Sequence, residues 1–145
     1  MTNFPKDGTD SKRKRIVLAL VLSSYMIVGI DGSLVITAIT QIAADLGLNH
    51  TSLSWVQNAY VLAFGGFMLM GGRLGDCYGR KPIFNIALIL FGIGSLGAGI
   101  ARSAAFMIGA RLVQGLGSAL MAPAALALIM DYFEGGERVK AVAWY

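Results

Sequence analysis

The sequence predicts an all-α integral membrane protein that contains four transmembrane helices and the start of a fifth. Only 14% of its 145 residues are charged, against about 25% in an average soluble domain, so it cannot build a polar outer shell. Charged residues are absent from three long runs, which cover 46–72, 82–101 and 112–130. Each run is long enough to cross a hydrocarbon core, which takes about 20 helical residues.

A polar N-terminal tail, residues 1–15, precedes the first predicted helix, 16–39. The tail ends in four basic residues, Lys12 to Arg15, directly before the apolar segment. Such a run can bind nucleic acid, but its place beside a membrane span favours a role in topology. The pattern also resembles a signal peptide. The apolar run exceeds the usual h-region of about 7–15 residues, however, so we expect the helix to be retained.

Three further helices are predicted at 53–70, 83–101 and 106–132, and a fifth begins near residue 141. Ser52 or Ser54 is expected to cap the second helix. Trp55 and Tyr60, near the start of that helix, fit an interfacial aromatic belt. The last five residues are too few to span a membrane, so the chain is predicted to be a fragment of a longer protein. The alternative is a complete four-helix protein with an aromatic tail.

The third predicted helix carries small residues four positions apart. The pairs are Gly94 with Ala98 and Ser95 with Gly99. Small residues at this spacing let two helix backbones approach closely within a membrane. The third helix is therefore expected to pack tightly against a neighbour.

Lys and Arg residues alternate regularly between the two ends of the predicted helices. The N-terminal tail has five, and the four following connections have none, three, one and two in chain order. An excess of Lys and Arg marks the cytoplasmic side of a membrane protein. We therefore expect a multi-pass protein of the plasma membrane whose N-terminus, second connection and fourth connection are cytoplasmic.

Two charged residues, Asp31 and Arg111, lie inside predicted helices. A charge at mid-bilayer costs at least about 2.5–3.5 kcal/mol, so such a residue normally faces a partner or a wet cavity. Asp31 lies about 15 Å below Gln41, and Arg111 lies about 12 Å below Ser103, at about 1.5 Å per residue. Opposite charges at matched depth can share one cavity. A carboxylate beside an arginine can also take up and release a proton as its surroundings change.

Polar neighbours extend these two charges into a predicted inward-facing stripe. Gln114 follows Arg111 at helical spacing, Ser24 lies two turns before Asp31, and Asn58 supplies a polar group on the second helix. The predicted proton and substrate pathway comprises Asp31, Arg111, Gln114, Asn58 and Ser24. One alternative is a purely structural ion pair that joins two helices. A second alternative is a solvated Asp31 at a helix kink beside Gly32.

The segment 72–81, which we call the latch segment, is the densest group of charges after the N-terminus. Its glycines permit a tight turn between two helix ends, and Asp76 can pair with Arg80 or Lys81 or lie at a helix N-terminus. Such a group can act as a latch at the cytoplasmic side. Its predicted functional residues are Gly72, Asp76, Gly79, Arg80 and Lys81. The alternative is a connection that only directs topology.

The latch segment resembles the signature between helices two and three of the major facilitator superfamily, of the form G-x-L-a-D-r-x-G-r-k. The residues that match are Gly72, Leu74, Asp76, Gly79, Arg80 and Lys81, while Cys77 replaces the usual basic residue. The run from Arg111 to Pro123 resembles the helix-four motif of the fourteen-helix drug:proton antiporter branch. Asp31 and Ser33 resemble its helix-one motif, although Thr37 and Thr40 depart from it. The likeness covers residues 16–145.

This resemblance implies the N-terminal part of a bundle whose two halves rock about a central cavity. It implies a role in proton coupling for Arg111, a role in cation or proton handling for Asp31, and a latch that stabilises the outward-open state. The expected function is therefore proton-coupled efflux of drugs or similar amphiphilic compounds. The expected partners are a small-molecule substrate, the lipid bilayer and the remaining helices of the full-length protein, without nucleic acid.

Other function classes fit the sequence less well. A carrier of another solute class, such as a sugar or metabolite, shares most of these features. A small four-helix multidrug transporter that works as an oligomer also has an acidic residue in helix one, but it lacks the latch segment. An enzyme is not expected, because the sequence has no nucleophile–base constellation and no phosphate loop. No metal site and no cofactor other than the proton is expected, since only His50 could join the single cysteine, Cys77.

Overall fold

A computed structural model describes residues 8–145, apart from the side chains of residues 8–10, 39, 45 and 46. The helices are α1 (Gly8–Leu46), α2 (His50–Tyr78), α3 (Arg80–Gly99), α4 (Ala104–Tyr132) and α5 (Gly135–Trp144). No strand occurs within 8–145, which confirms the predicted all-α class. By length and composition, α1 to α4 each contain a segment that can cross a membrane, which confirms the four predicted spans.

The helices extend beyond the apolar segments that predicted them. α1 begins at Gly8 and ends at Leu46, whereas the prediction ran from 16 to 39, and α5 begins at Gly135 instead of near residue 141. Part of the predicted polar tail is therefore helical, and residues 1–7 lie outside the described residues. The difference arises because apolarity marks only the hydrocarbon-spanning part. Lys and Arg have high helix propensity and continue the backbone hydrogen bonds past it.

The connection predicted between α2 and α3 is almost entirely helical. Only Gly79 lies outside a helix, and its φ of 93° is one that side chains with a Cβ rarely adopt. Pro82 follows in the first turn of α3, where its missing N–H costs nothing. The predicted caps of α2 were wrong, because Asn49 fills that position and its Oδ1 accepts from the N–H of Ser52 at 2.8 Å. A side-chain oxygen there satisfies one of the free donors of the first turn.

α4 is the central helix and packs its backbone directly against α2 and α3. A Cβ placed on Gly115 would lie 2.5 Å from the carbonyl oxygen of Tyr60 in α2. A Cβ on Gly94 of α3 would lie 2.7 Å from the backbone nitrogen of Gln114. Such contacts need glycine at the interface. The predicted close packing of α3 is therefore present at Gly94, whereas Gly99 faces open space.

α1 lies at the edge of the bundle and contacts mainly α4. Among its described residues only Val21 and Ser24 are buried within this chain. Large apolar side chains such as Met26 and Leu34 are more than half exposed. A surface of this kind is unfavourable in water and suited to lipid or to further helices.

Candidate functional site

Three polar residues of α4 are buried along one face of the helix. Arg111, Gln114 and Ser118 are separated by three and four residues, so their side chains share a face. All three are at most 4% exposed. This face turns toward α1 and α2, which supply the partners described next.

Asp31, Arg111 and Gln114 form a closed set of hydrogen bonds, which we call the charge cluster. Arg111 Nη1 donates to Asp31 Oδ2 at 2.8 Å and to Gln114 Oε1 at 2.9 Å. Gln114 Nε2 donates to Asp31 Oδ1 at 2.8 Å. Both carboxylate oxygens therefore have a donor, which is what a charged group away from water requires.

The charge cluster decides one alternative raised by the sequence. α1 is continuous through Asp31 and Gly32, so the solvated kink is wrong. The Asp31 side chain is 17% exposed and that of Arg111 is 5% exposed. Charges so enclosed are costly unless they are paired, and here they are paired.

Tyr60 of α2 completes the surroundings of Arg111 and was missed by sequence reasoning. The Arg111 guanidinium carbon lies 4.5 Å from the centre of the Tyr60 ring, within the range of cation–π attraction. The Tyr60 hydroxyl donates to Ser118 Oγ at 3.0 Å. The prediction that Tyr60 belongs to an aromatic belt was therefore wrong. The available signal was its place in the middle of the uncharged run 46–72.

A cavity of about 120 Å³ lies beside the charge cluster between α1, α2 and α4. Its wall includes Ser24, Tyr60, Phe64, Ser118 and Tyr145, so it combines hydroxyl groups with aromatic rings. The Ser24 hydroxyl donates to the carbonyl of Val21 in its own helix, at 2.7 Å. Ser24 thus borders the cavity without touching the charges.

Asn58, the remaining predicted pathway residue, does not join the cluster. Its side chain is exposed and does not line the cavity. Residues two positions apart point about 200° away from each other around a helix. With Tyr60 turned toward Arg111, Asn58 therefore faces away from it.

The latch segment forms contacts other than those predicted. Arg80 Nη1 donates to the Asp131 carboxylate and, at 3.1 Å, to the carbonyl of Ala127, both near the end of α4. Lys81 Nζ lies 5.0 Å from the centre of the Tyr132 ring. Asp76 is exposed and, within residues 8–145, forms no ion pair. The predicted pairing of Asp76 with Arg80 or Lys81 is therefore absent, because the break at Gly79 turns Arg80 toward α4.

These contacts place cations at the C-terminal end of α4. Arg138 adds to them, since its guanidinium donates to the carbonyls of Phe133 at 2.7 Å and Met130 at 3.0 Å. Cations are favoured there because the last carbonyls of a helix carry partial negative charge. The latch segment thus ties the α2–α3 junction to the end of α4.

Comparison with known proteins gives one family match. The family described as Major Facilitator Superfamily matches residues 21–145. The puromycin resistance protein of Streptomyces alboniger is 44% identical over 88% of this chain and 26% of its own length. The cephamycin export protein of Amycolatopsis lactamdurans is 41% identical over 94% of this chain and 29% of its own length.

A third relative is named for riboflavin and not for an antibiotic. The riboflavin transporter of Clostridioides difficile is 30% identical over 90% of this chain and 29% of its own length. The chain thus spans between about a quarter and a third of the length of these three curated relatives.

Proposed function

Because this chain belongs to the major facilitator superfamily, a family of integral membrane transporters, we propose that its full-length protein exports antibiotics or similar amphiphilic compounds in exchange for protons. The charge cluster is the observation that carries this proposal. A carboxylate, a guanidinium and a carboxamide are enclosed together between helices that can span a membrane. Charged groups in such a place are a functional site by default.

The charge cluster supports proton coupling through two alternative states of Asp31. In the charged state the carboxylate depends on the donors of Arg111 and Gln114. In the protonated state it is neutral and no longer requires the arginine, so α1 and α4 are free to separate. Each proton that arrives or leaves can therefore bias the relative position of two helices.

The names of two relatives support the substrate class. One is a puromycin resistance protein and the other a cephamycin export protein, and both are more than 40% identical to this chain. The aromatic and hydroxyl wall beside Ser118 is consistent with an amphiphilic substrate. These features make export a better proposal than an enzymatic function.

A carrier of a metabolite is the second candidate, favoured by the likeness to a riboflavin transporter. The two candidates differ in what competes for the site. Competition of puromycin by riboflavin in the full-length protein would favour the metabolite carrier. Competition by other lipophilic cations alone would favour the exporter.

We propose that the N-terminus faces the cytoplasm of a cell whose plasma membrane holds the protein. Basic residues lie near the start of α1, around the junction of α2 with α3, and after the end of α4. Their position at these three places supports this orientation. Lys14 Nζ also lies 3.0 Å from Glu137 Oε2 of α5, so the first and last helices begin on the same side.

Asp31→Asn is expected to uncouple transport from the proton gradient. The amide imitates the protonated carboxyl group, so the two states of Asp31 become one. In everted vesicles containing the full-length protein, proton-driven uptake of a lipophilic cation should fall about tenfold or more, a barrier increase of about 1.4 kcal/mol. Exchange of labelled for unlabelled substrate without a gradient should persist. The control is Glu134→Gln, which neutralises an exposed carboxylate outside the cluster. Undiminished gradient-driven uptake by Asp31→Asn would refute the proposal.

Asp76→Asn tests the latch. We propose that Asp76 contributes to holding one conformation of the full-length protein, because its exposed carboxylate is available to a group outside this chain. The variant should slow transport without changing equilibrium substrate binding. Its folded stability should change by less than about 0.5 kcal/mol, since the side chain is exposed and forms no ion pair within residues 8–145. Loss of substrate binding would argue against a latch.

A further inference from the structure

Tyr60 forms a wall shared by the charge cluster and the cavity. One face of its ring contacts the Arg111 guanidinium at 4.5 Å, and the residue also lines the cavity of about 120 Å³. The hydroxyl is bonded to Ser118, which lines the same cavity. Among the described residues, Tyr60 is the aromatic residue that touches both features.

We propose that Tyr60 is a positioning residue that couples occupancy of the cavity to the charge state of Asp31. A substrate that inserts one apolar group, such as a phenyl ring, into the cavity holds the Tyr60 ring against Arg111 and so stabilises the Arg111–Asp31 pair. When Asp31 is protonated, Arg111 is released, and the ring can move into the empty cavity. This inference rests on the proposed function. It adds the side chain through which the substrate and the proton compete.

The position of the ring matters because, within residues 8–145, Arg111 forms its hydrogen bonds through Nη1 alone. Its Nη1 serves both Asp31 and Gln114, while its buried Nε has no acceptor within residues 8–145. A guanidinium shielded from water gains more from an aromatic face than an exposed one does. Loss of the ring therefore weakens the geometry that presents Nη1 to Asp31.

The cavity has the dimensions that this movement needs. Its volume of about 120 Å³ is close to the roughly 150 Å³ that accommodates a benzene molecule in a protein core. For the ring to enter, its hydroxyl must break the bond to Ser118 and its face must leave the Phe64 ring, on which it is stacked with 6.2 Å between the ring centres. The Tyr60 ring inside the cavity excludes the inserted group of the substrate, and that group inside the cavity excludes the Tyr60 ring.

Exchange of substrate for proton follows from this exclusion. The substrate stabilises the paired, deprotonated Asp31, and the proton stabilises the arrangement in which the ring occupies the cavity. Because coupling between two ligands is reciprocal, each must weaken binding of the other. Substrate binding then releases a proton from Asp31 to solvent, and substrate affinity falls as pH falls.

Within residues 8–145, few other charged or titratable groups face the Asp31–Arg111 ion pair. α2 contributes Tyr60, and α4 contributes Arg111 and the neutral Gln114. From α3, the backbone at Gly94 packs against Gln114. From α5, Tyr145 lies at the cavity with its ring 5.1 Å from that of Tyr25, and its hydroxyl donates to the carbonyl of Ala122. Among the described residues, Asp31 is therefore the carboxylate of this site.

The test compares two substitutions of Tyr60 with one of Tyr25 in the purified full-length protein. Tyr60→Leu removes the ring, whereas Tyr60→Phe keeps it and removes only the hydroxyl. Tyr25→Leu is the matched control. It removes from the cavity wall a ring of α1 that packs on Tyr145, whereas Phe64 is unsuitable because its ring stacks on that of Tyr60. Binding of tetraphenylphosphonium is measured by equilibrium dialysis across a pH series, and released protons are measured in weakly buffered solution.

The expected results separate coupling from affinity. Tyr25→Leu should bind more weakly but release as many protons per bound cation as the wild type. Tyr60→Leu should release far fewer. The ratio of its affinities at high and low pH should be about tenfold smaller than in the wild type, a change of about 1.4 kcal/mol that lies within the range of cation–π contacts. Tyr60→Phe should retain the coupling.

Two results would overturn the proposal separately from the proposed function. If the wild type couples and Tyr60→Leu couples equally, Tyr60 has no such role. If the wild type binds the cation without releasing protons, proton exchange itself fails. A structure of the full-length Tyr60→Leu variant provides an arm that requires no substrate. We expect Arg111 to leave the position seen here, and an unchanged Arg111–Asp31 bond would contradict the inference.

Discussion

Arg111→Ala is expected to abolish proton-driven transport by the full-length protein. The substitution removes the cation that neutralises Asp31 and the Nη1 donor shared by Asp31 and Gln114. Breaking a buried ion pair on one side costs about 3–5 kcal/mol, because the remaining charge is left without a partner. Asp31 can avoid this cost only by remaining protonated, so it can no longer cycle. Uptake into everted vesicles should fall by about a hundredfold or more, on the scale of about 1.4 kcal/mol per tenfold.

Two control variants test whether the loss of transport is specific to the Arg111 guanidinium. Arg102→Ala removes an exposed arginine before α4 and should leave uptake near the wild-type level. Arg111→Lys retains the charge but replaces the flat guanidinium by a compact ammonium, which cannot present the same donors to Asp31 and Gln114. It should therefore recover insertion and stability better than transport.

The double variant Asp31→Asn/Arg111→Gln distinguishes a functional from a structural ion pair. Replacing both charges removes the penalty of an unpaired one, so membrane insertion and folded yield should approach the wild type. If the pair only joins α1 to α4, transport should recover as well. We expect no recovery of gradient-driven uptake. Recovered uptake would assign the pair a structural role alone.

Gly117→Val is expected to prevent α3 and α4 from packing. A Cβ on Gly117 would lie 2.6 Å from the backbone nitrogen of Phe91 and 2.9 Å from the carbonyl oxygen of Ala87. Both are backbone atoms, which cannot turn aside as a flexible side chain can. Overpacking of a tight interface costs about 1–3 kcal/mol or more, and a branched side chain here should be at the upper end of that range. The thermal midpoint of the full-length protein in detergent should fall, with a low yield of monodisperse protein.

Gly109→Val is the matched control for this prediction. Gly109 lies on the same helix and has no neighbouring atom within 4 Å of its would-be Cβ. The variant should fold with near wild-type yield, because it changes helix propensity by less than about 1 kcal/mol. Equal losses in the two variants would show that α4 is sensitive to bulk anywhere along its length, and the specific contact at Phe91 would be refuted.

The charge cluster was largely predictable because burial of charge in a membrane leaves few arrangements. Asp31 and Arg111 had opposite charge at matched depth, and Gln114 followed Arg111 at helical spacing. Depth is set by distance along a helix, which the sequence contains. The contact itself depends on how α1 is rotated, which the sequence does not contain.

Tyr60 and Asn58 also show that the sequence does not contain the rotation of a helix about its axis. Both belong to α2, and the choice of Asn58 as a pathway residue rested on its polarity alone. The orientation of α2 is set by its close approach to α4 at Gly71 and Gly115, so packing decided which side chain faces Arg111. Polarity does not report on packing between two apolar helices.

The helix ends were the least predictable part of the fold. Hydropathy reports the cost of moving a side chain from water into lipid, so it identifies only the part of a helix that lies within the membrane. Backbone hydrogen bonding has no such boundary, which is why α1 begins at Gly8 and α2 ends at Tyr78. The contact of Arg80 with Asp131 follows from the extension of the helices beyond their apolar segments, so hydropathy could not predict it.

The single-residue junction at Gly79 limits how this part of the protein can diverge. Insertions are normally tolerated in flexible loops. The single residue between α2 and α3 does not form such a loop. An added residue in helical conformation would rotate Arg80 and all of α3 relative to α2 by roughly 100°, and so displace Gly94 from α4. The length of this junction is therefore fixed by the interface that lies beyond it. Epitope tags and fusion partners are better placed in residues 47–49 between α1 and α2, where three residues separate the helices.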